Sequence, residues 1–131
     1  MSPIPSELRY TDTHEWAREE DDGSITIGVS DPIQSSLGDI VFIELPEIGQ
    51  EVKAQQEVGA VESVSASVDV CAPVSGEIIE VNELLKDKPE LINADAYHDG
   101  WIFKMMPNDL DELKDMLDAE AYEELVEELD L

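Results

Sequence analysis

Over most of this chain the apolar positions come in short runs, without helical spacing. In WAREEDDGSITIGVS (16–30), two such runs flank an acidic stretch at Asp22-Gly23. That composition predicts a β-hairpin whose second arm is rich in β-branched residues. DPIQSSLGD (31–39) predicts a short helix near 31–38, with Asp31 as its cap, Pro32 at the first helical position and Gly38 as the stop. DIVFIELPEIG (39–49) predicts a buried strand that ends in a turn containing Pro46 and Gly49. From there to Asn82, Val- and Ile-rich runs are broken by Gly and Pro, which predicts a small barrel or sandwich of short strands. Within that region, VESVSASVDVCAPVSGEI (61–78) reads as two strands folded back around a tip of small residues.

Two stretches repeat weakly. PEIGQEV (46–52) and PVSGEII (73–79) share P-x-x-G, then a polar residue and a β-branched residue two places later. The pair suggests a pseudo-symmetric fold in which the intervening segment is an exposed hairpin, although turn-forming Pro and Gly alone would give the same match. The pattern changes at the C-terminus. Leu110, Leu113, Leu117, Tyr122, Leu125, Val126 and Leu129 fall at helical spacing. They predict helices near 109–129, within a helical segment 107–131 lying over one face of the β core. Asp109 and Glu112 have the spacing of a capping box, and the Asp-Ala-Glu-Ala stretch near 118 is expected to split the helix. The Glu-rich end opposes the helix dipole and is expected to fray.

Length and composition narrow the classes. The chain has 131 residues, 42% of them hydrophobic, which suits one modest domain over 1–131. Thirty-three Asp and Glu against seven Lys and Arg give a net charge of −26. Such a surface repels phosphate backbones and anionic lipid, so neither nucleic acid nor membrane is an expected partner; basic faces of other proteins are. A generically solvated acidic surface accounts for the same composition. The single Cys71 excludes an internal disulfide and fits a reducing compartment. No apolar run approaches ~18 residues, and the N-terminus lacks signal or transit character. A cytoplasmic protein is expected, and a mature mitochondrial-matrix protein would look the same.

The chemistry-bearing residues form no catalytic constellation. Ser63, Ser65 and Ser67 cluster near the hairpin tip, with His14 and His98 as conceivable bases, but no G-x-S-x-G elbow surrounds them. Two distant histidines and one cysteine make no zinc site, EEDDG lacks the order of a calcium loop, and no phosphate-binding glycine motif is present. A phosphopantetheine acceptor serine would start a helix, whereas Ser65 lies in a β segment. An exposed hairpin without catalytic residues is the profile of a binding module, or of a carrier whose attached group supplies the reactivity.

Several motifs in order give the chain its resemblance. LRYTDTHEW, IGVSDPIQSSLGDIVFIELPEIGQEV, GAVESV and APVSGEIIEVNELLKDKPELINADAYHDGWIFKM together resemble the H protein of the glycine cleavage system, over nearly the whole length. The resemblance implies a lipoyl/biotinyl-type hybrid barrel-sandwich, mainly β with C-terminal α. It also implies a role as carrier and not enzyme. A lipoyl arm takes the aminomethyl group of glycine from glycine decarboxylase (the P protein) and offers it to the aminomethyltransferase (the T protein). The arm is then reoxidised by dihydrolipoyl dehydrogenase (the L protein), and a lipoate-attaching enzyme installs it. A shuttle among three enzymes is expected to be monomeric.

The chain departs from the family at the tip. Where the family has Glu-Ser-Val-Lys-Ala with lipoate on the lysine, this sequence has Glu62-Ser63-Val64-Ser65-Ala66. A gapped register also leaves no lysine. A hydroxyl gives at best a labile ester, so lipoate is expected to be absent, as is biotin. Glu62 is a candidate determinant for the lipoate-attaching enzyme. Thr13, Glu15, Ser36 and Asp69 match positions lining the cleft into which the family's loaded arm folds; a carboxylate there would favour a cationic adduct. Ala96 replaces a more usual proline, and Cys71 a more usual tyrosine or asparagine. The implied protein is an engineered or divergent non-lipoylated form of such a carrier. The alternative is a non-carrier binding module, acting as decoy or regulator on the same scaffold.

Overall fold

The computed structural model describes residues 3–131. The chain forms β1 (Arg9–Tyr10), β2 (Glu15–Glu19) and β3 (Ile25–Val29), then α1 (Asp31–Leu37) and β4 (Ile40–Glu44). There follow β5 (Glu51–Val52), β6 (Glu57–Ser63), β7 (Ser67–Cys71) and β8 (Gly76–Val81). Two single-turn helices, α2 (Leu84–Asp87) and α3 (Leu91–Ala94), precede β9 (Phe103–Pro107), a 3-10 turn (Leu110–Asp115) and α4 (Ala119–Leu129). The strands make two sheets, ordered β1-β2-β3-β9-β8-β5 and β4-β6-β7, with every pairing antiparallel. The expected sandwich of short strands with C-terminal helix is the observed architecture.

One apolar core fills the space between the sheets. Ile25, Ile27, Ile78, Phe103 and Met105 of the larger sheet are buried in one cluster with Ile43, Val61 and Val70 of the smaller. A second cluster unites Leu8, Tyr10, Trp16 and Tyr97 with Tyr122 and Val126 of α4. The C-terminal helix therefore packs over the β1–β2 end of the larger sheet, and Tyr122 stacks on Tyr10 with ring centroids 4.6 Å apart. Every residue of β3 is buried. Its Gly28 lies against the indole of Trp16, where a Cβ would come within 2.7 Å of the ring.

The expected hairpins form. β2 and β3 pair around the acidic turn, and β6 and β7 pair with Glu62 opposite Ser67. The two repeated stretches meet: β5 pairs with β8, and the Gly49 amide donates to the Ile78 carbonyl at 2.7 Å. The segment between them is the β6–β7 hairpin, as the repeat suggests.

Three local expectations need correction. Ser30, not Asp31, is the cap residue of α1; Asp31 is the first helical residue, and its carboxylate accepts from Gln34 Nε2 at 2.9 Å. β4 is not a buried strand. An irregularity between Ile40 and Phe42 breaks the alternation, so Val41 and Phe42 both face solvent, at 54% and 53% exposure. The Asp109–Glu112 capping box is half formed. Asp109 accepts from the Asp111 amide at 2.9 Å, while Glu112 reaches away to accept from the Ser75 amide at 3.1 Å. At the C-terminal end Asp130 takes a left-handed conformation, and the Leu131 amide closes on the Val126 carbonyl at 3.2 Å, a cap that opposes the expected fraying. The split near 118 is real. Leu117 forms a β-bridge with Tyr10, and Asp118 caps α4 by accepting from the Ala121 amide.

Candidate functional site: the hairpin tip and an acidic cleft

The β6–β7 tip is built by one hydroxyl. Ser63 Oγ accepts from the backbone amides of Ser65 and Ala66, at 3.3 and 3.0 Å, so a side chain does what a backbone turn would otherwise do. The Ser63 amide donates to the Ala66 carbonyl at 2.8 Å, closing the strand end across a two-residue loop of Val64 and Ser65. The Val64 amide donates to the carbonyl of Asp39, which ties the tip to the start of β4. Val64, Ser65 and Ala66 are all exposed, as is Glu62 one step back on β6. The tip is thus a small, braced protrusion with Ser65 at its apex. Its serines carry no general base. Among the described residues, His14 Nδ1 is engaged with the Tyr122 hydroxyl at 2.8 Å, and His98 pairs with Asp95 on the surface. Burial lowers the His14 pKa against the opposing pull of Asp12.

A cleft of about 330 Å³ opens beside the β1–β2 turn, lined by Thr11, Thr13, Glu15, Gln55, Ala72 and Pro73 among others. Asp12, Glu112 and Asp115 also line it, so its wall is acidic. At its base Glu15 is fully buried. Its carboxylate accepts from Thr11 Oγ1 at 2.6 Å, from Thr13 Oγ1, and from the Cys71 amide at 3.2 Å. Burial raises the Glu15 pKa, and these hydrogen bonds oppose the rise without cancelling it. His14, at φ 74°, turns the chain sharply before β2. Glu15 thereby links β2 of one sheet to β7 of the other.

The sequence-predicted site residues separate into groups. Thr13 and Glu15 share the cleft. Ser36 is exposed on α1 and Asp69 is exposed on β7 opposite Ala60, and neither lines that cleft. Asp69 lies two positions before Cys71 on β7. Burial pushes the Cys71 thiol up, and the charges of Glu15, Asp69, Glu57 and Asp12 push it further, which suppresses the thiolate. Thr11 and the Cys71 amide were not singled out from sequence. Thr11 carried a readable signal: Thr11-x-Thr13-x-Glu15 is an alternation of hydroxyl, hydroxyl and carboxylate. The Cys71 amide carried none, because a backbone donor has no residue type. Among the described residues, no group of three His, Cys, Asp or Glu is placed to hold a metal, and no helix is long and apolar enough to cross a membrane.

Comparison with known proteins gives one consistent result. The family model described as "Glycine cleavage H-protein" matches residues 8–129. The glycine cleavage system H protein of Shewanella loihica is 55% identical over 128 residues, covering 98% of this chain and 99% of that protein. The Saccharophagus degradans protein of the same name is 53% identical, covering 97% and 98% respectively. Among solved structures, a glycine cleavage system H protein from Mycobacterium marinum matches with a TM-score of 0.83 at 35% identity, covering 98% of this chain and all of that one.

Proposed function

The chain belongs to the glycine cleavage H-protein family, and from that premise we propose that it is an H-protein-type carrier scaffold, a non-enzymatic component of glycine cleavage, whose attachment site is disabled. Its partners in this reading are glycine decarboxylase, the aminomethyltransferase and dihydrolipoyl dehydrogenase. The observation that supports it is the braced, exposed β6–β7 tip with a single small residue, Ser65, at the apex.

The residues at the tip do not fit a lipoyl group. An amide to lipoate requires an ε-amine, and no lysine lies between Glu57 and Lys86. Lys86 pairs with Glu83, Lys114 with Asp111, and Lys104 lies over the Trp101 ring. Lys53 precedes β6 and Lys88 follows α2. The chain as it stands carries no arm in this reading. What it retains is the scaffold and an acidic cleft in which the buried Glu15, held by Thr11 and Thr13, and the lining Asp12, Glu112 and Asp115 together favour a small cation. Ser36 and Asp69 stay in the proposal only as residues flanking the hairpin's approach. A second reading, a decoy that occupies the same partners, is favoured by the same Ser65.

The test is the intact mass of Ser65→Lys after incubation with a lipoate-attaching enzyme, beside the unaltered chain. Gain of one lipoyl group by the lysine variant alone, followed by restored glycine decarboxylation, supports the carrier scaffold. Failure of both chains to gain mass overturns it. Inhibition of an authentic lipoylated carrier by the unaltered chain supports the decoy reading.

A further inference from the structure

The irregular β4 strand places apolar side chains where alternation would have hidden them. Val41 and Phe42 are more than half exposed, and Ile48 and Leu84 are each 62% exposed. An open groove of about 550 Å³ runs along this strand, walled by Phe42, Leu45, Pro46, Ile48 and Val81. Phe42 lies directly opposite Glu62 on β6, so their side chains share a sheet face, and two positions further on is Val64, 73% exposed at the tip. The Val64 amide is bonded to the Asp39 carbonyl, which holds the tip against the start of the same strand. The groove therefore begins beside the hairpin tip, with the exposed Glu62 between Phe42 and Val64.

Its rim is acidic. Asp39, Glu44, Glu47, Glu62 and Glu83 are all exposed around it, and the groove's one lysine, Lys86, is paired with Glu83 at 3.8 Å. An apolar centre ringed by like charges is an interface layout with a stated complement. With a net charge of −26, a second copy of this chain meets repulsion there.

We infer that the β4 face, with Phe42 at its centre, is the docking surface for a partner enzyme that encloses the hairpin tip and presents an apolar socket flanked by Lys and Arg. This rests on the family reading only for the choice of partner. The groove shares no lining residue with the acidic cleft at Glu15 and needs no group attached at Ser65, so in this proposal the chain binds its partner without an arm.

The test measures binding of the full chain to purified glycine decarboxylase by biolayer interferometry, at low and high salt. The variants are Phe42→Ser, Val64→Ser and, as control, Leu129→Ser, which removes an equally exposed apolar side chain from α4. Far-UV circular dichroism and melting curves verify that each is folded. The expected result is a Kd at least tenfold weaker for Phe42→Ser, a smaller loss for Val64→Ser, none for Leu129→Ser, and weaker binding at high salt. Equal binding by Phe42→Ser and Leu129→Ser overturns the proposal. So does sedimentation showing a dimer of the unaltered chain that Phe42→Ser dissolves, because the occupant is then a second copy. If the unaltered chain fails to bind while Ser65→Lys accepts lipoate, the docking face is wrong and the carrier reading stands; if the unaltered chain fails to bind and Ser65→Lys also fails to accept lipoate, both fall.

Discussion

Replacing Glu15 separates its two contributions, as a buried charge and as a hydrogen-bond acceptor joining the sheets. Glu15→Gln and Glu15→Ala both remove the charge, so the difference between them reports the acceptor. In the glutamine variant the amide oxygen keeps the Cys71 amide, and the Thr11 and Thr13 hydroxyls rotate to accept from the new NH₂. In the alanine variant the Cys71 amide is orphaned, which costs about 1–3 kcal/mol. Loss of a buried methylene adds about 0.8 kcal/mol. The threonines lie at the cleft wall and turn to water, adding little. Glu15→Ala is therefore expected to be less stable than Glu15→Gln by about 2–4 kcal/mol, a urea midpoint shift of about 1–2 M for a domain of this size.

The pH dependence carries the sign of the charge. Burial raises the folded-state pKa of Glu15 above its ordinary value of 4.5, so between the two values the folded state binds more protons than the unfolded chain. The unaltered protein is destabilised above the folded pKa. It recovers that stability as pH falls through this pKa, with recovery complete below the unfolded value. The stability of the unaltered chain relative to Glu15→Gln should thus move in favour of the unaltered chain on acidification. The other acids titrate in both proteins and cancel in the difference. Urea melts of all three proteins from pH 7 to pH 4 decide the matter. Alanine and glutamine variants of equal stability would refute the acceptor role. A flat or reversed pH difference would refute the account of burial.

Other expectations follow from single contacts. A Cβ at Gly59 would stand 2.2 Å from the Glu44 carbonyl oxygen, so Gly59→Ala must part β4 from β6 and should cost about 3 kcal/mol in chemical denaturation. Ser63→Ala removes the acceptor of two tip amides; global stability should fall by only about 0.5–1 kcal/mol, while amide exchange at Ser65 and Ala66 accelerates more than at β6. Tyr122→Phe keeps the stack on Tyr10 but strips the partner from the buried Ser30 hydroxyl and from His14. It should lower stability by about 1–3 kcal/mol without loss of helical circular dichroism.

The sequence by itself determined the elements whose signals are local. The acidic turn at Asp22-Gly23, the Asp118 break and the run of β-branched residues each act through neighbours a few positions away, and each appears where the pattern puts it. The ordered motifs from LRYTDTHEW to GWIFKM were enough to identify the family, and the absence of a lysine between Glu57 and Lys86 is a fact of composition that no packing alters. Tertiary structure decided what depends on partners distant in sequence. Ser30 displaced Asp31 as cap residue while its hydroxyl was held by Tyr122, 92 positions on. Glu112 left its capping box because the Ser75 amide was nearer to hand. The single-turn helices α2 and α3 are too short for periodicity to reveal, so only their packing fixes them. β4 reads as buried because four of its five residues are apolar, yet one irregularity in its pairing with β6 turned Val41 and Phe42 outward. A strand's inside and outside are set by register against its neighbour, and register is a property of the pair.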